Sequence, residues 1–425
     1  MKFFSAINLF LINITLLVVL FYTLAAFYYP AVYVIATYED LYGEWAQTYG
    51  FLTTCIFSSL IASRKQHPQR WFFLLLALAS FYAFMEEISW GQRLIGFDSP
   101  AFFHENSYQD ETNIHNLLTG PVDVWTKTAL TYALSLGLLA YGVAFPVLLH
   151  FDFKPALWLS KLRIAAEPPL ALIPAFIIAS GLEMEWIGFN EAEVAELLVA
   201  WALAFTALAH YLPQTRYAQS VLPYVGVSLL ASGLIWTTTD LLLNKPNQRQ
   251  EIEHRLANGY EKFAERYEGY DYTFGVVAML QRYDELRPNN TVILRKLADN
   301  LEILGQTAKA KQVLQQAISV GLRRVNQDSN NVQANISLAK SYRKLGDYQN
   351  MAIYANKAYA QAWQQYQAQP SDAYFAYWLA KACEQTNRQH DALHYYRKAH
   401  HLDPSSERYA EAYEQKKLIM VDYED

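Results

Sequence analysis

Seven apolar runs crowd into the first 245 residues of this 425-residue chain, and none follows. They cover residues 7–29, 45–63, 71–88, 126–149, 169–186, 194–212 and 221–243. A helix needs about 20 apolar residues to cross the hydrocarbon core of a bilayer. There each backbone polar group must be satisfied within the segment itself, which leaves helices as the spanning form for runs of this kind. The first half is expected to be a polytopic membrane domain of about seven helices. The first run follows a single lysine. It is longer than the roughly 7–15-residue core of a secretory leader and reads as an uncleaved span.

Charge changes at the same boundary. Residues 1–245 carry 11 Lys and Arg against 18 Asp and Glu, and residues 246–425 carry 23 against 22. The second half therefore has the charge density of a soluble domain. No basic stretch suited to phosphates occurs, so nucleic acid is not an expected partner. Cys55 lies in an apolar run and Cys383 in the polar half, which gives neither an expected disulfide nor a metal spacing. Basic residues in short loops orient the spans. Arg64, Lys65 and Arg70 follow the second run, Lys154, Lys161 and Arg163 the fourth, and Arg216 the sixth. The other loops carry only Arg93. This alternation puts the N-terminus in the cytoplasm and the second half outside the cell membrane. The stretch FDFKPALWLSKLRI (residues 151–164) mixes aromatics with Lys and Arg and reads as lying along the cytoplasmic membrane surface.

The same topology places 16 of the 18 first-half acids on the outer side. Glu86 and Glu87 end the third run, and a helix continued through them would put Glu86, Ser89 and Arg93 on one face. Glu183 and Glu185 end the fifth run, where negative charge opposes the helix dipole. Asp240 ends the seventh. In the loop after the third run, Glu111 and His115 have an i, i+4 spacing that suits a shared metal. Asn190 is placed to cap the next helix, with Glu193 at the third position. Acids from the third, fifth and seventh runs are thus expected at one outer vestibule. Glu86, Glu87, Arg93 and His115 are the candidate catalytic residues. Glu111, His115, Glu183 and Glu185 are the candidate ligands of a divalent metal. A solvated acidic rim at headgroup level is the plain alternative. The segments EEISWGQRLIGF and NSYQDETNIHN together resemble a signature of uncharacterised bacterial multi-pass membrane proteins. The resemblance implies that Glu86, Glu87, Trp90, Gly91, Gln92, Arg93, Glu111, His115 and Asn116 act together, and it supplies no reaction.

The second half repeats itself at a step of 41 residues: Ala298, Ala339 and Ala380; Leu297, Leu338 and Leu379; Ala317, Ala358 and Ala399; Gly305, Gly346 and Asn387. Each unit reads as two helices with small residues where they approach. The pattern resembles the tetratricopeptide (TPR) repeat. The family period is 34, so a step of 41 implies two extra turns in the second helix or longer linkers. The fold class is all-α, a membrane domain (1–245), connecting helices with a degenerate repeat (246–290) and a TPR-like solenoid (291–425). The resemblance puts Lys340, Arg343, Lys344 and Lys381 on the concave face beside Tyr374 and Tyr377, a surface suited to an acidic peptide or a carboxylate terminus. Two functions follow as expectations. One is a membrane-tethered scaffold whose extracytoplasmic repeats bind a protein. The alternative is a membrane-embedded hydrolase or transferase acting on a lipid-linked substrate through the outer Glu/His site. Membrane lipid is a partner under either reading.

Overall fold

The computed structural model describes residues 5–38, 41–95, 97–106, 112–114, 125–212 and 220–421. Regular structure among these residues is helical, and the chain divides into two compact units, residues 1–266 and 267–425.

The first unit opens with α1 (Ala6–Tyr28), capped by the Ser5 hydroxyl, which accepts from the Asn8 N–H at 3.1 Å. Then come α2 (Pro30–Thr37), α3 (Tyr42–Ala62), α4 (Arg70–Glu87), and the short α5 (Gln92–Ile95) and α6 (Ala101–Asn106). Helix α7 (Trp125–Leu139) passes through a π-turn at Ala140–Ala144 into α8 (Phe145–His150). The turn lies just before Pro146, which has no N–H to give to the preceding turn. Helices α9 (Lys154–Lys161), α10 (Ile173–Leu182), α11 (Glu191–Tyr211), α12 (Leu222–Leu243) and α13 (Pro246–Gly269) follow.

Each of the seven apolar runs falls on a helix, but among the described residues four helices are long and apolar enough to cross a membrane. They are Ala6–Tyr28, Lys127–His150, Glu191–Tyr211 and Leu222–Leu243. The other three differ for physical reasons. Helix α3 carries Glu44, Gln47 and a row of hydroxyls, α4 includes Arg70, Glu86 and Glu87, and α10 has only 10 residues. At 1.5 Å per residue α10 covers about half of a 30 Å core.

Helices α3 and α11 lie side by side with small residues at their contact. A Cβ on Gly50 would stand 2.8 Å from that of Ala200. Around this approach several polar side chains bond to backbone carbonyls of their own helix or of the neighbour. Thr54 Oγ1 donates to Gly50 O at 2.9 Å, Trp201 Nε1 to Ala46 O at 3.0 Å, and Gln47 Nε2 to Glu193 O at 2.8 Å. Small residues and interhelical hydrogen bonds are the means by which helices associate where no hydrophobic force separates protein from solvent. A second polar clasp joins α7 to α10, with the Ser135 and Ser180 hydroxyls 2.7 Å apart.

The second unit holds α14 (Thr273–Leu286), α15 (Thr291–Ile303), α16 (Thr307–Gln327), α17 (Val332–Leu345), α18 (Tyr348–Ala368), α19 (Ala373–Gln385), α20 (Gln389–Leu402) and α21 (Glu407–Val421). The first helices of three hairpins start at 291, 332 and 373, and the second helices at 307, 348 and 389. The step of 41 is thus structural. Ala298, Ala339, Ala380, Ala317, Ala358 and Ala399 are all buried where the helices touch. Gly305, Gly346 and Asn387 take left-handed φ values of 72°, 82° and 60°, which turn the chain between helices. Each first helix is capped from the residue before it: Asn290, Asn331 and Asp372 accept backbone N–H groups of the first turn. The extra length lies in the second helices, for α16 and α18 have 21 residues each and α20 has 14.

Enlarging Gly50 tests the α3–α11 approach. Gly50→Val should lower the stability of the full chain by about 1–3 kcal/mol, read as a lower melting temperature in detergent. An unchanged melting temperature would show that the contact is not tight.

Candidate functional site

The EEISWGQR segment does not continue α4. The helix stops at Glu87, and Ser89, Trp90 and Gly91 take left-handed φ values of 46°, 53° and 91°. The expected common face of Glu86, Ser89 and Arg93 is therefore not formed. The left-handed region costs non-glycine residues of order 1–3 kcal/mol each. What holds the turn is the buried Glu86 carboxylate, which accepts from Trp90 Nε1 at 2.6 Å. The Tyr82 and Trp90 rings meet edge-on, 6.3 Å between centroids. Gln92 then ties the turn to the following loop: its Oε1 accepts the Thr112 N–H at 2.8 Å, and its Nε2 donates to Ser99 Oγ at 3.0 Å. Asn113 Nδ2 donates to Glu86 O at 3.4 Å. The EEISWGQR segment thus touches Thr112 and Asn113 through Glu86 and Gln92. Glu87 sits at the last turn of α4. Arg93 lies in α5 with its side chain outside the described set, and Glu111 and His115 also lie outside the described residues.

The remaining outer acids group differently from the expected vestibule. Glu183 ends α10, and Glu196 of α11 lies within electrostatic reach of Glu183, Glu44 and Glu185. The fifth run packs beside α11. Glu44 is a member that loop-by-loop reading missed, since i, i+4 spacing carries no signal for acids on separate helices. Asp240 accepts instead from Asn244 Nδ2 at 3.0 Å. Among the described residues no group of three or more His, Cys, Asp or Glu side chains is placed to hold a metal ion, so Glu183 and Glu185 form no such set there. Asn190 holds the N-cap position of α11, but its side chain makes no capping hydrogen bond. It sits at φ 55° and its Oδ1 accepts from Arg266 Nη1 at 2.9 Å. Glu191 instead braces the turn before the helix, its carboxylate accepting the N–H groups of Ile187, Gly188 and Phe189 at 2.6, 3.0 and 2.6 Å. Phe263 of α13 packs beside this turn against Phe189 and Tyr33, with ring centroids 5.8 and 6.1 Å apart.

The repeat unit gathers cations on its first helices. Arg295 is buried, with Nη1 donating to Ser337 Oγ at 2.7 Å and Ser337 O at 3.3 Å. Burial pushes its guanidinium down to about 10, opposed by Asp299. Lys340 and Lys381 occupy equivalent positions one step apart. Burial holds the Lys340 ammonium below its ordinary value, and Lys381 and Arg295 push the same way. Among the described residues neither Lys340 nor Lys381 is in an ion pair. The other candidate groove residues are engaged. Lys344 pairs with Asp299, and Arg343 Nη2 donates to Gln385 O at 3.3 Å. The exposed Tyr374 accepts at its hydroxyl from Gln333 Nε2 at 2.8 Å. Tyr377 is buried rather than presented, beneath Arg408 at 4.5 Å and Lys381 at 5.4 Å from its ring centroid. Arg408 belongs to α21, beyond the last copy of the 41-residue step, and so escaped a reading based on that step.

Trp90→Phe keeps the ring and removes the N–H from a buried carboxylate. It should cost about 1–3 kcal/mol, seen as a lower melting temperature of the full chain, whereas the turn would be indifferent to the change if the indole hydrogen bond did not hold it.

No family model matches the chain, and no curated protein matches it. Among solved structures, a crystal structure of MamA protein is similar at 16% identity with a TM-score of 0.20, covering 38% of this chain and 81% of that one. MamA from Desulfovibrio magneticus RS-1 is similar at 18% identity with a TM-score of 0.19, covering 40% and 88%. The TPR-like character of the second unit stands on its own hairpins and their common step.

Proposed function

We propose that this chain is a multi-pass membrane protein whose TPR-like unit, held on the extracytoplasmic side, binds a protein partner through an acidic peptide or a carboxylate terminus. The observation that carries this reading is the Lys340–Lys381 pair. Two ammonium groups at equivalent places on successive helices, each outside any ion pair among the described residues, repel one another, and burial desolvates that of Lys340. An incoming carboxylate relieves both costs at once. The rest of the candidate groove contributes shape and hydrogen bonding. Arg343 is tied to the next repeat and Tyr374 to Gln333. The solenoid supplies the repeated surface that such binding uses. Seven spans with the N-terminus inside, and a bilayer around the apolar helices, complete the proposal.

A second reading, a membrane-embedded hydrolase or transferase acting on a lipid-linked substrate, is favoured by one observation. The buried Glu86 carboxylate is held in a strained turn tied to the loop that carries Glu111 and His115. Under that reading, Glu86→Gln, whose amide oxygen can still accept from Trp90 Nε1, removes turnover in a chain that still folds.

The binding test uses the full chain in detergent and a set of acidic peptides with free or amidated C-termini, read by calorimetry. Lys340→Gln with Lys381→Gln should weaken binding by about 10-fold or more and flatten its salt dependence. The sign of proton linkage is also set. Below the unfolded value of a lysine, near 10.5, the folded chain binds fewer protons at Lys340 than the unfolded one. Its contribution to stability therefore rises with pH from the depressed folded value up to that point. A bound carboxylate restores the proton, so binding on the alkaline side should take protons up. Equal affinity in the double variant would remove the proposal.

A further inference from the structure

We propose that one end of the first unit is a docking surface for anionic phospholipid headgroups, an inference that rests on the membrane reading above. Side-chain contacts bring five chain segments to this end. The Arg64 guanidinium lies 4.3 Å from the Tyr211 ring centroid, which joins the end of α3 to the end of α11. His210 Nε2 is 2.8 Å from Glu167 O, which brings in the segment after α9. Phe73, near the start of α4, packs against His210 at 5.3 Å between centroids, and Phe72 stacks on Tyr141 of the π-turn at 6.0 Å. Two of the helices long and apolar enough to cross a membrane finish at this level, at His150 and Tyr211.

These segments carry six cations, Arg64, Lys65, Arg70, Lys154, Lys161 and Arg163, against two acids, Asp152 and Glu167. Among the described residues Lys65, Arg70, Lys154, Lys161 and Arg163 form no ion pair. Large apolar side chains are exposed among them. Trp71 is 64% exposed, Phe151 75% and Trp158 60%. Arg70 stands 4.8 Å above the Trp71 ring. Of the eight residues of α9, Ala156 alone is buried. A helix that leaves its Trp and its lysines unpacked, one turn beyond the end of a spanning helix, suits the boundary between acyl chains and headgroups. There the aromatic rings enter the apolar side and the ammonium and guanidinium groups meet phosphodiesters. Charge complementarity selects the occupant. Zwitterionic headgroups offer each phosphate with its own cation attached, whereas anionic ones leave a net charge for six protein cations.

The test is native mass spectrometry of the full chain released from detergent with equimolar phosphatidylglycerol and phosphatidylcholine. Retained phosphatidylglycerol should exceed phosphatidylcholine by about fivefold or more. Lys154→Gln with Lys161→Gln and Arg163→Gln should bring the ratio near parity with total lipid unchanged. Lys65→Gln with Arg70→Gln should lower it independently, which guards against misfolding of the first variant. Lys127→Gln, at the opposite end of α7, should leave it alone. Equal retention of the two lipids by the parent chain, an unchanged ratio in the triple variant, or an equal loss in Lys127→Gln overturns the inference and leaves the membrane reading standing. Retention of neither lipid overturns both.

Discussion

The first unit depends on how closely α3 and α11 approach at Gly50 and Ala200. Most other features of that unit hang from this pair. Gln47 on α3 secures the first turns of α11, Thr54 bonds within its own helix at the point of contact, and Trp201 reaches back across it. The approach sets where α11 begins, and Glu191 closes the turn before that start with its own carboxylate. That turn in turn receives Phe263 and Arg266 of α13. A backbone contact too close for a Cβ therefore fixes a chain of placements, with few strong interactions of its own.

The step of 41 was legible because it governs several kinds of residue at once. Buried alanines, left-handed turn residues and leucines recur together, and all have one physical cause, a helical hairpin stacked on its neighbour. The caps Asn290, Asn331 and Asp372 keep the same step. They went unread because two amide caps and one acid do not look like a repeat to a comparison of identities. Groove membership was less legible. A repeat step tells which helix face a residue shares with its equivalents, and it does not tell what lies over that face. Tyr377 and Arg408 show the difference.

The outer motif was harder still. Periodicity extends helices, and nothing in the letters Ser-Trp-Gly marks two non-glycine residues for the left-handed region. The break is sustained by a tertiary hydrogen bond from Trp90 to Glu86, which no local propensity contains. Acids on different helices pose a similar difficulty. Glu44 and Glu196 come near Glu183 and Glu185 only through helix packing. Spans predicted from apolar length alone also merge two classes of helix, those apolar all along and those, such as α3, whose hydroxyls bond within the helix or to a neighbour.

The unequal second helices have a bearing on how such a solenoid changes over time. Helices α16 and α18 have 21 residues and α20 has 14. The difference is a single heptad, which rotates a helix by only about 20° away from two complete turns. A segment of that size can be gained or lost while every residue beyond it keeps nearly the same azimuth. The hairpin can thus vary its reach on one side without rewriting its contacts with the next repeat. Duplication of such units offers variation in length at little cost in fit, whereas insertions of two or five residues would turn the buried alanines toward water.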